Sequence, residues 1–240
     1  MEREQREMIM ELAKVRVRLN GREVLKDVSL RFDPGITVLL GENSSGKTTL
    51  LKTAAGLIRP ESGTIFIDGK DIGLMKPKER ARLIGYCWQN PYSGFFEENV
   101  KREVEFILKN IGAAGRRDVL EILGIEKLMT RNPFKLSGGE ARRVSIASVI
   151  VADQPIILLD EPFNEMDLDG YISILKLLNM FKNEGKTVVV ALNNALTIDS
   201  IRPEKVVVLK EGKVVLAKKF GEITEDELER NNIVTRRAIS

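Results

Sequence analysis

The period of the hydrophobic positions changes along the chain, and each change predicts a different kind of element. From Leu12 to Leu19 and from Val24 to Phe32, apolar and charged residues alternate around Asn20-Gly21. That is the pattern of two strands joined by a tight hairpin and exposed on one face. Ile36–Leu40 is nearly all apolar, as in a strand buried on both faces. A Gly-rich loop follows, then helical spacing over Thr48–Ala55, closed by Gly56. A buried strand feeding directly into a helix is the grammar of α/β folds. Gly63–Ile67, turned at Asp68-Gly69, and Ile84–Trp88, ending at Gln89, predict two further short strands.

The spacing becomes helical from Glu97 to about Ala152. Val100, Val104, Ile107, Leu108 and Ile111 share one face, and Val119, Ile122 and Leu123 continue it. Gly112–Gly115 and Asn132-Pro133 break the stretch into pieces. Strand character returns at Ile156–Leu159, Val188–Leu192, Val206–Leu209 and Val214–Ala217, with a helix predicted over Leu168–Lys182. The pattern predicts one α/β domain over 1–240, its core at 1–90 and 153–240, with a helical block inserted over about 91–152. The charged first ten residues read as a loose leader, with Met10 as an alternative start.

Composition narrows the function. The chain has 240 residues, 43% hydrophobic and 30% charged, enough apolar material for a sizeable core. Lys and Arg number 38 against 35 Asp and Glu, and a net charge of +3 gives no reason to expect a nucleic-acid partner. The absence of histidine excludes His-based catalytic triads and most zinc sites. The single cysteine, Cys87, rules out an internal disulfide and fits a reducing, cytoplasmic setting. The longest apolar runs, such as Val149–Ala152, have four or five residues, whereas a spanning helix needs about 18. Any role at a membrane is therefore expected to run through a partner.

Three segments carry chemistry. Gly41-Glu42-Asn43-Ser44-Ser45-Gly46-Lys47-Thr48 fits the phosphate-loop pattern, with Thr49 next in the helix. Its glycines let successive backbone N–H groups wrap an anion, to which the following helix offers its positive end. Lys47 is placed to reach the outer phosphates of a nucleotide, and the Thr48 hydroxyl to bind Mg²⁺. Ile156–Leu159 ends in Asp160-Glu161, at the carboxyl edge where α/β sheets bind ligands. There Asp160 is suited to hold Mg²⁺ through water, and Glu161 to orient or activate an attacking water; an ordinary solvated acidic turn is the plain alternative. Ser137 and Glu140 form a capping box at the start of a helix. Gly138 and Gly139 between them weaken that helix, and make sense if bare backbone must approach another molecule.

Taken in order, these segments resemble the ATP-binding cassette (ABC) ATPases. The likeness spans nearly the whole chain: the phosphate loop at Gly41–Thr48, Gln89, the signature Leu136-Ser137-Gly138-Gly139-Glu140, and Asp160-Glu161. It implies a P-loop NTPase cassette, α/β, with an inserted helical subdomain and an antiparallel β edge. It also implies a head-to-tail dimer, with ATP between one subunit's phosphate loop and the other's signature. Carried onto this chain, it makes Glu161, Gln89 and Asn193 the catalytic residues. Gly41 through Thr49 and Ser137 through Glu140 bind the nucleotide, and Thr48, Gln89 and Asp160 hold Mg²⁺.

The stretch from Gly85 to Phe106, with Gln89-Asn90-Pro91, is similar to energy-coupling-factor ATPases, except that Gly94 stands where that group has a Gln. This implies a second, different ATPase subunit, a transmembrane coupling protein and a substrate-binding membrane subunit, with the chain peripheral on the inner face of the membrane. Phe95 and Phe96 read equally as core packing or as docking residues. Three departures stand out. Asn193 replaces the family's switch histidine, Glu165 replaces a small residue, and the aliphatic Val17 and Leu19 are the nearest candidates for an adenine-stacking aromatic. The alternative to a full ATPase is a weakly hydrolysing subunit that mainly completes a partner's ATP site.

Overall fold

The structure is a computed structural model and describes residues 7–239. In chain order, the first hairpin is β1 (Met10–Leu19) and β2 (Arg22–Phe32), followed by β3 (Gly35–Leu40) and α1 (Lys47–Ala54). Next come β4 (Ser62–Ile67), β5 (Lys70–Asp71), α2 (Pro77–Leu83) and β6 (Ile84–Cys87). The helical stretch is α3 (Val100–Ile111), α4 (Arg117–Leu123) and α5 (Gly138–Ile150). The chain closes with β7 (Ile156–Asp160), α6 (Leu168–Asn183), β8 (Thr187–Leu192), α7 (Ile198–Ile201), β9 (Lys205–Lys210), β10 (Lys213–Lys219) and α8 (Glu225–Arg230).

Among these residues the strands form two sheets. A four-stranded antiparallel sheet runs β2-β1-β4-β5, and a six-stranded sheet runs β10-β9-β3-β8-β7-β6. The latter is parallel except for β10, an antiparallel edge. Successive residues of its central strands supply opposite faces. Ile36, Val38 and Leu40 of β3 belong to one apolar cluster with residues of α3, α5 and α6, while Leu39 belongs to a second with Leu50, Leu51 and the first hairpin. This two-sided burial explains the unbroken apolar runs of β3, β7 and β8. β3, β6, β7 and β8 all end on one edge of the sheet, so the loops after Leu40, Cys87, Asp160 and Leu192 open there together.

The helical stretch is interrupted where the glycines predicted: Gly112 and Gly115 take left-handed φ values of 73° and 84°. Residues 1–6 of the expected leader lie outside the described residues, but the rest of it is not loose. Met8 accepts a hydrogen bond from the Thr187 hydroxyl, Ile9 N–H donates to Asp68 at 2.9 Å, and Met10 is fully buried in β1. Strand alternation simply runs back further than Leu12. The short helices α2, α7 and α8 were not legible, since four to seven residues hold too few turns to set a period.

Candidate active site

The loop after β3 is shaped by close approaches. A Cβ on Gly41 would collide with the Leu209 carbonyl and the Ser45 side chain. Gly46 takes φ 108°, a conformation open to glycine. The turn between β9 and β10 clasps the loop from outside: Gly212 N–H donates to Ser45 O at 3.0 Å, and Lys26 N–H to Gly212 O at 2.8 Å. No described side chain caps α1, so its positive N-terminal end faces the concave side of the loop. Lys47 is buried at the helix start, where its ammonium donates to Gly41 O at 2.6 Å and Glu42 O at 3.0 Å. Burial lowers its pKa, opposed by the charges of Glu161 and Asp160.

Asp160 and Glu161 leave β7 beside this loop. Glu161 sits at φ 48°, uncommon for a residue with a Cβ, and its N–H donates to Ala191 O at 3.1 Å. Its carboxylate lies 4.0 Å from the Lys47 ammonium and accepts from Asn164 Nδ2 at 2.5 Å. Asp160 is buried, and desolvation raises its pKa against hydrogen bonds from Thr48 and Tyr86. Tyr86 donates to Asp160 Oδ2 at 3.2 Å, whereas Oδ1 is buried without a partner among the described residues. A buried, unpaired carboxylate oxygen next to a threonine side chain is a donor set that fits a hard divalent cation such as Mg²⁺.

Lys47, Thr48 and Glu161 open into one cavity of about 600 Å³, while Asp160, Gly41, Glu42 and Ser45 do not line it. Of the residues named from sequence, Asn43, Ser44, Gly46, Lys47, Thr48, Thr49, Gln89 and Glu161 line it together. Asn193 does not. It lines a neighbouring depression with Glu42 and Asn43, and its Oδ1 accepts from Asn194 Nδ2 at 2.7 Å. Neither Val17, which is buried, nor Leu19 lines this cavity; Arg22, Glu23, Val24 and Lys26 do.

Ser137 to Glu140 also lie apart from it, at the start of α5, where the expected capping box is formed in both directions. Arg131 adds a 2.7 Å ion pair to Glu140. The two glycines there are approached by this chain's own loop. A Cβ on Gly138 would meet the Glu165 carboxylate, and one on Gly139 would meet the Glu165 carbonyl. The bare backbone is thus needed within the chain, whatever else approaches it.

Arg142, Asn164 and Tyr86 had not been singled out from the sequence. Buried Arg142 of α5 donates to the carbonyls of Trp88, at 2.7 Å, and Gln89, which fixes the Gln89 segment to the helix that carries the signature. Its partners lie more than 50 residues away, with separations of 54 and 53, so no local pattern announces it. Asn164 sits three residues beyond Glu161, and a polar residue at that spacing after the carboxylate pair was the one available signal.

A parallel sheet whose carboxyl edge gathers a glycine loop, a lysine and paired carboxylates defines a nucleotide-binding α/β cassette. The sequence profile of the ABC transporter family matches residues 25–164, and the chain belongs to that family. It is 35% identical over 215 residues to a putative ABC transporter ATP-binding protein of Pyrococcus horikoshii, covering 87% of this chain and 82% of that one. It is 39% identical over 202 residues to the energy-coupling factor transporter ATP-binding protein EcfA2 of Thermotoga maritima, covering 81% and 74%. A dimeric ATP-binding cassette in a post-hydrolysis state, bound to ADP and Pi, superposes with a TM-score of 0.77 at 26% identity, covering 88% and 98%. No helix among the described residues is long and apolar enough to cross a membrane.

Proposed function

We propose that this chain is the ATP-hydrolysing subunit of an energy-coupling-factor type importer. The observation that carries the reading is Glu161, held 4.0 Å from Lys47 in the cavity of the glycine loop. The loop's N–H groups and the start of α1 would bind the phosphates of ATP, and Lys47 would exchange its loop carbonyls for phosphate oxygens. Thr48, Asp160 and Gln89 would hold Mg²⁺, which when bound neutralises phosphate charge. Glu161 accepts a proton from, or orients, the attacking water, steadied by Asn164. Asn193, which faces the depression beside this cavity, would serve the γ-phosphate as a neutral donor only after turning toward it. Residues 1–240 act as one cassette domain, with 91–152 as the helical block that presents Ser137–Glu140 to the ATP bound by a second subunit.

The named similarity to EcfA2 supports the importer class and a paired, different ATPase partner. A transmembrane coupling protein and a substrate-binding membrane subunit complete the assembly and hold the chain at the inner face of the membrane. Of the two phenylalanines, Phe95 is core, while Phe96 is 58% exposed and stacks edge-on with Phe106 beside an apolar groove, which favours a docking role for Phe96 alone. The competing reading, a subunit that mainly completes a partner's site, draws on Asn193. Both are tested by measuring Mg²⁺-dependent ATP turnover of the chain alone and after co-purification with its native membrane subunits. Turnover should rise on assembly and drive solute into sealed vesicles. Unchanged uptake when ATP is withheld would overturn the proposal.

A further inference from the structure

Tyr86 stands on β6 opposite Leu158 of β7, and Asp160 lies two residues farther along β7, on the same face of the sheet. The Tyr86 hydroxyl reaches Asp160 Oδ2 at 3.2 Å, across 74 residues of sequence. Its ring is held edge-on to Trp88 at a centroid distance of 5.1 Å, and the Lys52 ammonium lies 5.1 Å over Trp88. Both Tyr86 and Asp160 are buried, so neither the hydroxyl nor the carboxylate trades this contact freely for water.

The consequence is an asymmetric carboxylate. The torsion that turns a carboxylate about its last bond is soft, and a lone aspartate samples a broad range. A donor on one oxygen sets the plane. Thr48 also donates to this carboxylate, but its hydroxyl is the one proposed to bind Mg²⁺, so Tyr86 is the donor that stays on Oδ2 while Oδ1 is buried and unpaired among the described residues. A phenylalanine would fill the same core space between Trp88 and β7, so packing alone gives no use for the hydroxyl. We infer that Tyr86 is a positioning residue for the metal: its hydroxyl orients the Asp160 carboxylate so that Oδ1 faces the Mg²⁺ that accompanies ATP. The inference rests on the proposed reading of the cavity as a Mg-ATP site.

The test is Tyr86→Phe in the full chain, with equilibrium titration of a fluorescent ATP analogue in EDTA and in graded Mg²⁺. Affinity in EDTA should match wild type, while the Mg²⁺ concentration giving half-maximal tightening should rise about tenfold, the usual cost of one hydrogen bond to a charged group. Turnover with partners should be lost at low Mg²⁺ and restored at high Mg²⁺, with KM for ATP unchanged at saturating Mg²⁺. A purely structural role would lower affinity in EDTA as well, and leave the Mg²⁺ dependence in place.

A second comparison uses the Asp160→Asn background, in which Tyr86→Phe should add nothing to the Mg²⁺ dependence. A Mg²⁺ titration of Tyr86→Phe that superimposes on wild type, or additive effects in the double variant, would overturn the inference and leave the proposed function standing. A wild-type chain whose nucleotide affinity ignores Mg²⁺ would overturn both.

Discussion

At the scale of single residues, what could be read from sequence is what acts through local spacing. Lys47 follows Gly46 in a loop pattern, and Asp160-Glu161 ends an apolar strand, so all three were visible; Lys47 and Glu161 meet in the cavity, and Asp160 lies buried close enough for its charge to act on Lys47. Tyr86, Arg142 and Asn164 meet their partners through the fold, and an isolated aromatic, arginine or asparagine carries no sign of that in its neighbourhood. Asn193 was found by resemblance, yet it faces a depression beside the main cavity rather than the cavity itself. The sharpest residue-scale prediction concerns Lys47. Its ammonium is already buried among loop carbonyls, so replacing it with alanine removes the one lysine nested within the phosphate loop itself. Lys47→Ala should weaken ATP binding by about 100-fold or more, at 1.4 kcal/mol per factor of ten and about 3 kcal/mol for charge-assisted contacts. Equilibrium titration with a fluorescent nucleotide checks this, and unchanged affinity would remove the loop from the site.

At the scale of elements, period was the useful signal and length its limit. Strands buried on both faces and the long helices α3, α5 and α6 were recognisable, whereas α2, α7 and α8 fell below what periodicity resolves. The pieces of the helical block are tied to the sheet by ionic contacts that no pattern shows. Arg116, just before α4, is buried and pairs with Asp118, Asp153 at 3.1 Å and Glu184 at 2.6 Å. It thereby joins α4 to the loop before β7 and to the end of α6. Burial opposes its charge, but these three acids outweigh that and raise its pKa. Removing it would take the shared cation from Asp118 and Glu184, while Asp153 keeps its 2.9 Å pair with Lys186. Because the acids are partly exposed, the loss is smaller than for a fully buried pair: Arg116→Ala should cost about 2 kcal/mol in urea unfolding. A variant within about 0.5 kcal/mol of wild type would show that the cluster is surface decoration.

At the scale of the whole molecule, the order of strands makes the site. β8 and β7 stand between β3 and β6, so the phosphate loop, Asn193, the carboxylate pair and Gln89 leave along one edge despite their separation in sequence. That edge was foreseeable from α/β grammar, but the strand order was not, since local pattern does not record which parallel strands are neighbours. The same architecture leaves Ser137–Glu140 away from this chain's own cavity, which supports a working form in which each ATP is completed by a second subunit. In the proposed reading the switch is Asn193, a neutral donor set beside the cavity, so this chain's site should be the slower of an unequal pair. ATP turnover of the assembled complex, with the catalytic glutamate removed from one subunit at a time, tests this most directly. Loss of the partner's glutamate should leave a slow residual rate, and adding Glu161→Gln should lower that rate by about 100-fold or more while ATP still binds. Residual turnover that persists without Glu161 would contradict the assignment of Glu161 as the residue that activates water. Equal losses from the two single variants would contradict the inequality of the sites.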